Sequence, residues 1–110
     1  MMAKSSLDDR ALELQAVARQ FQINTTLSGR SITDPQIKKL QVTIREFKLE
    51  ESRAQRLEAL RIILGYERPL NSSKDLSMAD AMGLFELKLE EFQYLYAWAL
   101  FDQSESGVGI

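Results

Sequence analysis

The sequence predicts an all-α fold, a compact bundle of four to five helices with a long aromatic-rich C-terminal helix or helix pair. Apolar residues recur every three or four positions through most of the chain, which is the period of an amphipathic helix. Capping boxes, in which a Ser precedes Asp or Gln by three positions, stand before the apolar runs. No segment shows the alternation typical of a strand, and 110 residues suit one domain.

The first predicted helix runs from about Leu7 to Phe21 and begins at a capping box of Ser6 and Asp9. Residues 22–32 contain several turn formers, so we expect a loop or linker there. We therefore divide the chain into an N-terminal helix and linker (residues 1–30), a helical interaction module (31–101) and a disordered tail (102–110). The sequence leaves open whether the first helix packs on the module or forms a separate arm.

Two further helices follow, each with its own start signal. Thr33 is placed as an N-cap with Pro35 in the first turn, where the missing N–H costs nothing. Ser52 and Gln55 form the capping box of the next helix, and Gly65 suits its left-handed C-terminal stop.

Between the third and fourth predicted helices lies a serine-rich loop. We expect Asp75 to accept backbone N–H bonds and so to fix this loop, which is a structural role. Arg53, Arg56 and Arg61, on the preceding helix, are expected to project into solvent.

The last segment begins at a capping box of Ser77 and Asp80 and is apolar on two sides. It is either one long helix or two helices broken near Gly83 or Lys88. One row, with alternating spacings of four and three, is Met78, Met82, Phe85, Leu89, Phe92, Tyr96 and Ala99. The second row is Leu84, Leu87, Tyr94, Leu95, Trp98 and Phe101. The first helix, another copy of the chain or a partner must cover the second row.

The composition argues against an enzyme. The chain has no Cys and no His, so it lacks a thiol nucleophile, the commonest general base and the commonest metal ligands. Its neighbouring carboxylates would point in different directions on a helix and would not form an acid/base pair. We expect no catalytic residue, no metal and no cofactor.

The sequence also predicts where in the cell the protein is found. No apolar run approaches the roughly 20 residues needed to cross a bilayer, so no membrane partner is expected. The N-terminus lacks the apolar stretch of a signal peptide, and a cytoplasmic location follows.

Three stretches together resemble a known helical module: Ile32–Leu40, Leu64–Gly65 and Ser72–Ala81. The module is found in C-terminal regions of phage single-strand annealing recombination proteins and in related small phage accessory proteins. The matching stretch covers a little over half of the chain, and the aromatic segment Phe92–Phe101 departs from it. No DNA-annealing core precedes it, so the resemblance implies recruitment or docking of a partner in DNA recombination or replication.

Protein docking fits the residues best among the function classes. An acidic peptide with an apolar end, such as the tail of a single-strand DNA-binding protein, would need cations for its acids and an apolar contact for its end. The candidate cations, for a partner or a phosphate, are Lys38, Lys39, Arg53, Arg56 and Lys74. The candidate apolar contacts are Tyr94, Trp98 and Phe101.

Three alternatives stay open at the level of sequence. The chain is a small inhibitor of a host defence complex, or it is a homo-oligomeric structural subunit such as a homodimer built on its last helix. Residues 30–74 are net basic and residues 75–110 net acidic, so weak, sequence-independent binding of nucleic acid is the third.

Overall fold

The helices of the chain form an all-α bundle, as predicted, in a computed structural model that describes residues 8–108 and the side chains of residues 8–102. Within these residues the α-helices are α1 Asp9–Ala18, α2 Thr25–Ser28, α3 Asp34–Glu46, α4 Arg53–Leu64, α5 Met78–Glu86 and α6 Leu89–Val108. A 3₁₀ turn, Ser73–Asp75, precedes α5. The only strand-like pairing in the described part is an isolated antiparallel bridge between Ser31 and Ser77.

The predicted caps of α3, α4 and α5 are confirmed. Thr33, Ser52 and Ser77 each accept a hydrogen bond from the backbone N–H three residues on, and the side-chain oxygen at that position accepts the backbone N–H of the cap residue. Gly65 ends α4 with φ 77°, the left-handed conformation that favours glycine. Local sequence therefore sets where these three helices begin.

The bounds of α1 differ from the prediction. Asp8 caps the helix, since its Oδ1 accepts the Ala11 N–H at 2.9 Å, and the helix ends at Ala18 rather than Phe21. The predicted start at Ser6 and Leu7 lies outside the described residues. Residues 22–32 are not loop throughout, because Asn24 caps the short helix α2.

Helix α1 packs on the rest of the bundle and is not a separate arm. It contacts α4, α5 and α6, and it buries Ala11, Leu14 and Ala18. Its closest approach is to Gly83 of α5, where an added Cβ would lie 1.8 Å from the Ala18 carbonyl oxygen. Glycine at this position is what allows the two backbones to meet.

The C-terminal segment is a helix pair, one of the two predicted alternatives. Leu87 has an extended conformation (φ −74°, ψ 142°), and the Lys88 N–H donates to Glu91 Oε1 at 2.9 Å as α6 begins. The backbone of α6 is helical to Val108 and so includes residues 102–108 of the segment predicted to be a disordered tail. Residues 109–110 of that segment lie outside the described residues.

The hydrophobic core draws on α1, α3, α4, α5 and α6, and its aromatic cluster lies between the C-terminal end of α3 and α6. The Phe47 ring lies 5.3 Å from Phe92 and 5.8 Å from Tyr96, measured between centroids. Phe92, Tyr96 and Ala99 are buried, as the first apolar row predicts, but Leu89 is 56% exposed. The row is interrupted there because the break at Leu87 gives α5 and α6 separate axes.

Candidate functional site

Three of the five candidate cations, Arg53, Arg56 and Lys74, line one surface groove of about 350 Å³, which we call the central groove. Its walls combine positive charge, two serine side chains and aliphatic surface. The lining residues are Ile37, Gln41, Arg53, Arg56, Leu57, Ser72, Ser73 and Lys74. The sequence indicated Arg53, Arg56 and Lys74 as candidate binding cations. It gave no sign that Ile37, Leu57 and two serines lie beside them.

Two local structures hold the cations at this groove. Arg53 and Arg56 are three residues apart at the start of α4, so they lie on one side of the helix. Asp75 Oδ2 accepts the N–H groups of Asn71 at 2.7 Å and Ser72 at 3.2 Å, which confirms its predicted role in fixing the loop. Arg53 Nη2 donates to the Asn71 carbonyl at 3.0 Å and so ties the loop, with Lys74, to α4.

The inner side of Arg56 faces a hydrogen-bonded pair of Tyr96 and Glu51. Tyr96 donates its hydroxyl hydrogen to Glu51 Oε2 at 2.6 Å, and Arg56 Nε lies 4.0 Å from the same oxygen. Burial, and then the bond to Glu51, raise the pKa of Tyr96 well above its ordinary value. Arg56 was predicted to project into solvent, but it is half-buried, because its inner edge faces this pair while the side chain lines the groove.

Arg61 likewise does not project freely into solvent. It donates to both carboxylate oxygens of Glu58, at 2.8 and 2.6 Å, and to the Tyr66 carbonyl at 2.7 Å. The hydrogen bond to Glu58 raises the pKa of Arg61 further. Arg61 therefore closes the end of α4 and is absent from the central groove.

Two more grooves flank the central one. The Leu49 groove, of about 280 Å³, is lined by Gln41, Ile44, Arg45, Leu49, Glu51 and Arg56. The Tyr66 groove, of about 440 Å³, is lined by Tyr66, Arg68, Pro69, Leu70, Asn71 and Asp75. The hydroxyl of Tyr66 donates to buried Asp80, and burial together with this bond raises the pKa of Tyr66.

The other two candidate cations lie elsewhere on α3. Lys38 and Lys39 are exposed, and neither lines the central groove. Lys39 Nζ sits 4.4 Å from the centroid of the Phe85 ring, a cation–π contact with α5. The structure therefore separates these lysines from Arg53, Arg56 and Lys74.

The predicted apolar contacts all lie on α6, and Tyr94 among them also contacts the start of α1. The Tyr94 hydroxyl donates to Asp8, 3.0 and 3.2 Å from its two carboxylate oxygens, and Arg10 stacks 4.6 Å from the ring centroid. Trp98 is half-buried against the core, and Phe101 is 58% exposed. None of the three lines the grooves along α4.

Comparisons with known proteins give no further information about this site. No protein-family model, curated protein or solved structure matches this chain. Among the described residues, no three His, Cys, Asp or Glu side chains are grouped so that they could hold a metal ion. No helix in that part of the chain is long and apolar enough to cross a membrane.

Proposed function

We propose that this chain is a non-catalytic docking module that binds an acidic peptide with an apolar end residue in its central groove. The main support for this proposal is that Arg53, Arg56 and Lys74 line the same groove. Ile37 and Leu57 give that groove aliphatic walls. Cations select the acids of such a peptide, and the aliphatic surface receives its apolar end.

The cations of the central groove have capacity for a ligand. Among the described side chains, neither Arg53 nor Lys74 forms an ion pair with a carboxylate. Arginine suits carboxylates because its planar guanidinium donates two parallel hydrogen bonds. Each hydrogen bond to a charged group contributes about 1.5–3 kcal/mol, so two or three such contacts would contribute several kcal/mol to binding.

Recruitment of a partner in DNA recombination or replication, in a cytoplasmic phage-related setting, is the biological part of the proposal. Its support is the resemblance to phage modules described above. Two of the matching stretches contribute to the central groove, Ile32–Leu40 through Ile37 and Ser72–Ala81 through Ser72, Ser73 and Lys74. The acidic tail of a single-strand DNA-binding protein is a partner with suitable chemistry.

Fluorescence anisotropy with a labelled peptide of three aspartates and a terminal phenylalanine tests this function. Arg53→Glu and Lys74→Glu should each weaken binding by about tenfold or more, equivalent to about 1.4 kcal/mol. Lys88→Glu makes the same charge change at an exposed residue between α5 and α6 and should leave affinity nearly unchanged. Equal effects of all three variants, or full binding of a peptide with asparagines in place of aspartates, would contradict the proposal.

A further inference from the structure

Each of the two flanking grooves adjoins the central groove through shared or neighbouring lining residues. The Leu49 groove and the central groove share Gln41 and Arg56 as lining residues. On the other side, the central groove ends at Ser72 and the Tyr66 groove begins at Asn71, whose carbonyl is bonded to Arg53. The central groove therefore has one neighbouring groove on the side of Gln41 and Arg56 and another on the side of Asn71.

Positive charge continues along all three grooves. Arg45 lines the Leu49 groove and Arg68 lines the Tyr66 groove, and both side chains are exposed. The two acids on this path are already engaged. Glu51 accepts the Tyr96 hydroxyl, and Asp75 accepts two backbone N–H groups. Each of the three grooves therefore has at least one cation. The two carboxylates among their lining residues already accept hydrogen bonds.

Aliphatic side chains also recur in each groove. The pairs are Ile44 with Leu49, Ile37 with Leu57, and Pro69 with Leu70. In an extended peptide successive side chains point to opposite sides, so acidic and apolar residues can face the rim and the floor in turn. A single-stranded nucleic acid would instead need aromatic faces for its bases, and Tyr66 is the one aromatic residue among those that line the grooves.

We infer that the partner segment is an extended acidic peptide that spans all three grooves, with apolar residues interleaved among its acids. This inference rests on the proposed function, which needs the central groove alone. About 12 residues in extended form reach roughly 40 Å, and the longest dimension of the molecule is 41 Å. The segment is therefore long enough to run past both ends of the central groove.

The test compares two labelled peptides by fluorescence anisotropy. The short one has three aspartates and a terminal phenylalanine, and the long one has about 12 residues alternating glutamate with leucine or valine. The long peptide should bind about tenfold tighter, because its flanking residues bind at high effective concentration. Arg45→Glu and Arg68→Glu should each weaken the long peptide by about threefold or more and leave the short peptide unchanged. Lys88→Glu is the matched control, and circular dichroism verifies that each variant is helical.

The outcomes distinguish failure of the extended path from failure of the central groove. Equal affinity of the two peptides, or no difference between Arg45→Glu, Arg68→Glu and Lys88→Glu, overturns the extended path while short-peptide binding through Arg53 stands. Failure of both peptides to bind overturns both proposals. A single-stranded 12-nucleotide DNA that binds more tightly than the long peptide, and loses affinity in Arg45→Glu and Arg68→Glu, overturns the assignment to a peptide.

Discussion

Asp80 is the buried charge on which three segments of the chain converge. Its Oδ2 accepts the Ser77 N–H at 2.9 Å and the Tyr66 hydroxyl, and its Oδ1 accepts Gln22 Nε2 at 2.9 Å. Gln22 also donates to the Leu64 carbonyl at 2.9 Å. One carboxylate therefore joins the turn after α1, the residue that follows the Gly65 stop of α4, and the start of α5.

Asp80→Ala should destabilise the fold far more than Asp75→Ala, although both carboxylates close a capping box. Asp80 is fully buried, so its loss leaves buried donors unpaired and should cost about 3 kcal/mol or more. Asp75 is exposed, and loss of its cap should cost about 1 kcal/mol. Urea unfolding followed by circular dichroism measures both, and equal losses would show that the buried network contributes nothing special.

Gly83→Ala should destabilise the protein by about 2–3 kcal/mol or prevent folding, because the new methyl group overlaps the Ala18 backbone. Gly29→Ala is the control. There the nearest atom is the Thr25 carbonyl oxygen at 3.0 Å and the φ of −85° suits alanine, so the change should stay below about 1 kcal/mol. Thermal melts of both variants check this. A stable Gly83→Ala protein would mean that α1 does not approach α5 this closely.

At the level of helices, the packing of α1 decides the architecture, and two leucines on its opposite faces test it. Leu14 is 7% exposed and Leu12 is 49% exposed. Leu14→Ala should cost about 2–4 kcal/mol and Leu12→Ala less than about 1 kcal/mol. Denaturant midpoints give the comparison. Equally small losses of unfolding free energy in the two variants would indicate that α1 is a separate arm.

The sequence predicted those helical features that depend on neighbouring residues. The caps at Thr33, Ser52 and Ser77 and the stop at Gly65 are decided within four residues of each position, and all are confirmed. The position of α1 was left open because it depends on Gly83, some 65 positions after Ala18. Periodicity gives a buried face for each helix but not the helix that covers it.

Only the part of the candidate site that depends on neighbouring residues could be predicted from the sequence. Arg53 and Arg56 are close in sequence, so their shared face follows from helical spacing. Lys74 joins them because Asp75 and Arg53 shape the intervening loop, which no periodicity reveals. The aromatic row at Tyr94 was expected to share the site, yet contacts with Asp8 and Arg10 place it against α1.

Across the whole molecule, alkaline pH should weaken the fold through its buried tyrosines. The folded state raises the pKa of Tyr96, so this group's stabilising contribution is complete below the unfolded pKa of about 10 and is lost as pH rises above it. The free energy of unfolding should fall there by up to about 1.4 kcal/mol per pH unit for this one group. Urea titrations between about pH 9 and 11 measure the slope.

Tyr96→Phe supplies the comparison for that slope. The variant lacks the ionising hydroxyl, so its stability should decline less steeply above about pH 10, whatever its absolute value. Tyr66 remains in the variant, and burial and its bond to Asp80 also raise its pKa, so a residual slope is expected. Identical slopes in the two proteins would contradict the role assigned to Tyr96.

We propose that the groove between α3, α4 and the 3₁₀ turn is the docking site. Chemical-shift mapping of the isotope-labelled protein with the short acidic peptide tests it most directly. If the peptide docks there, the largest shifts should fall on residues around Ile37, Arg53, Arg56 and Ser72–Lys74, with little change at Tyr94–Phe101. Shifts concentrated on Tyr94–Phe101, or none at all under saturating peptide, would contradict it.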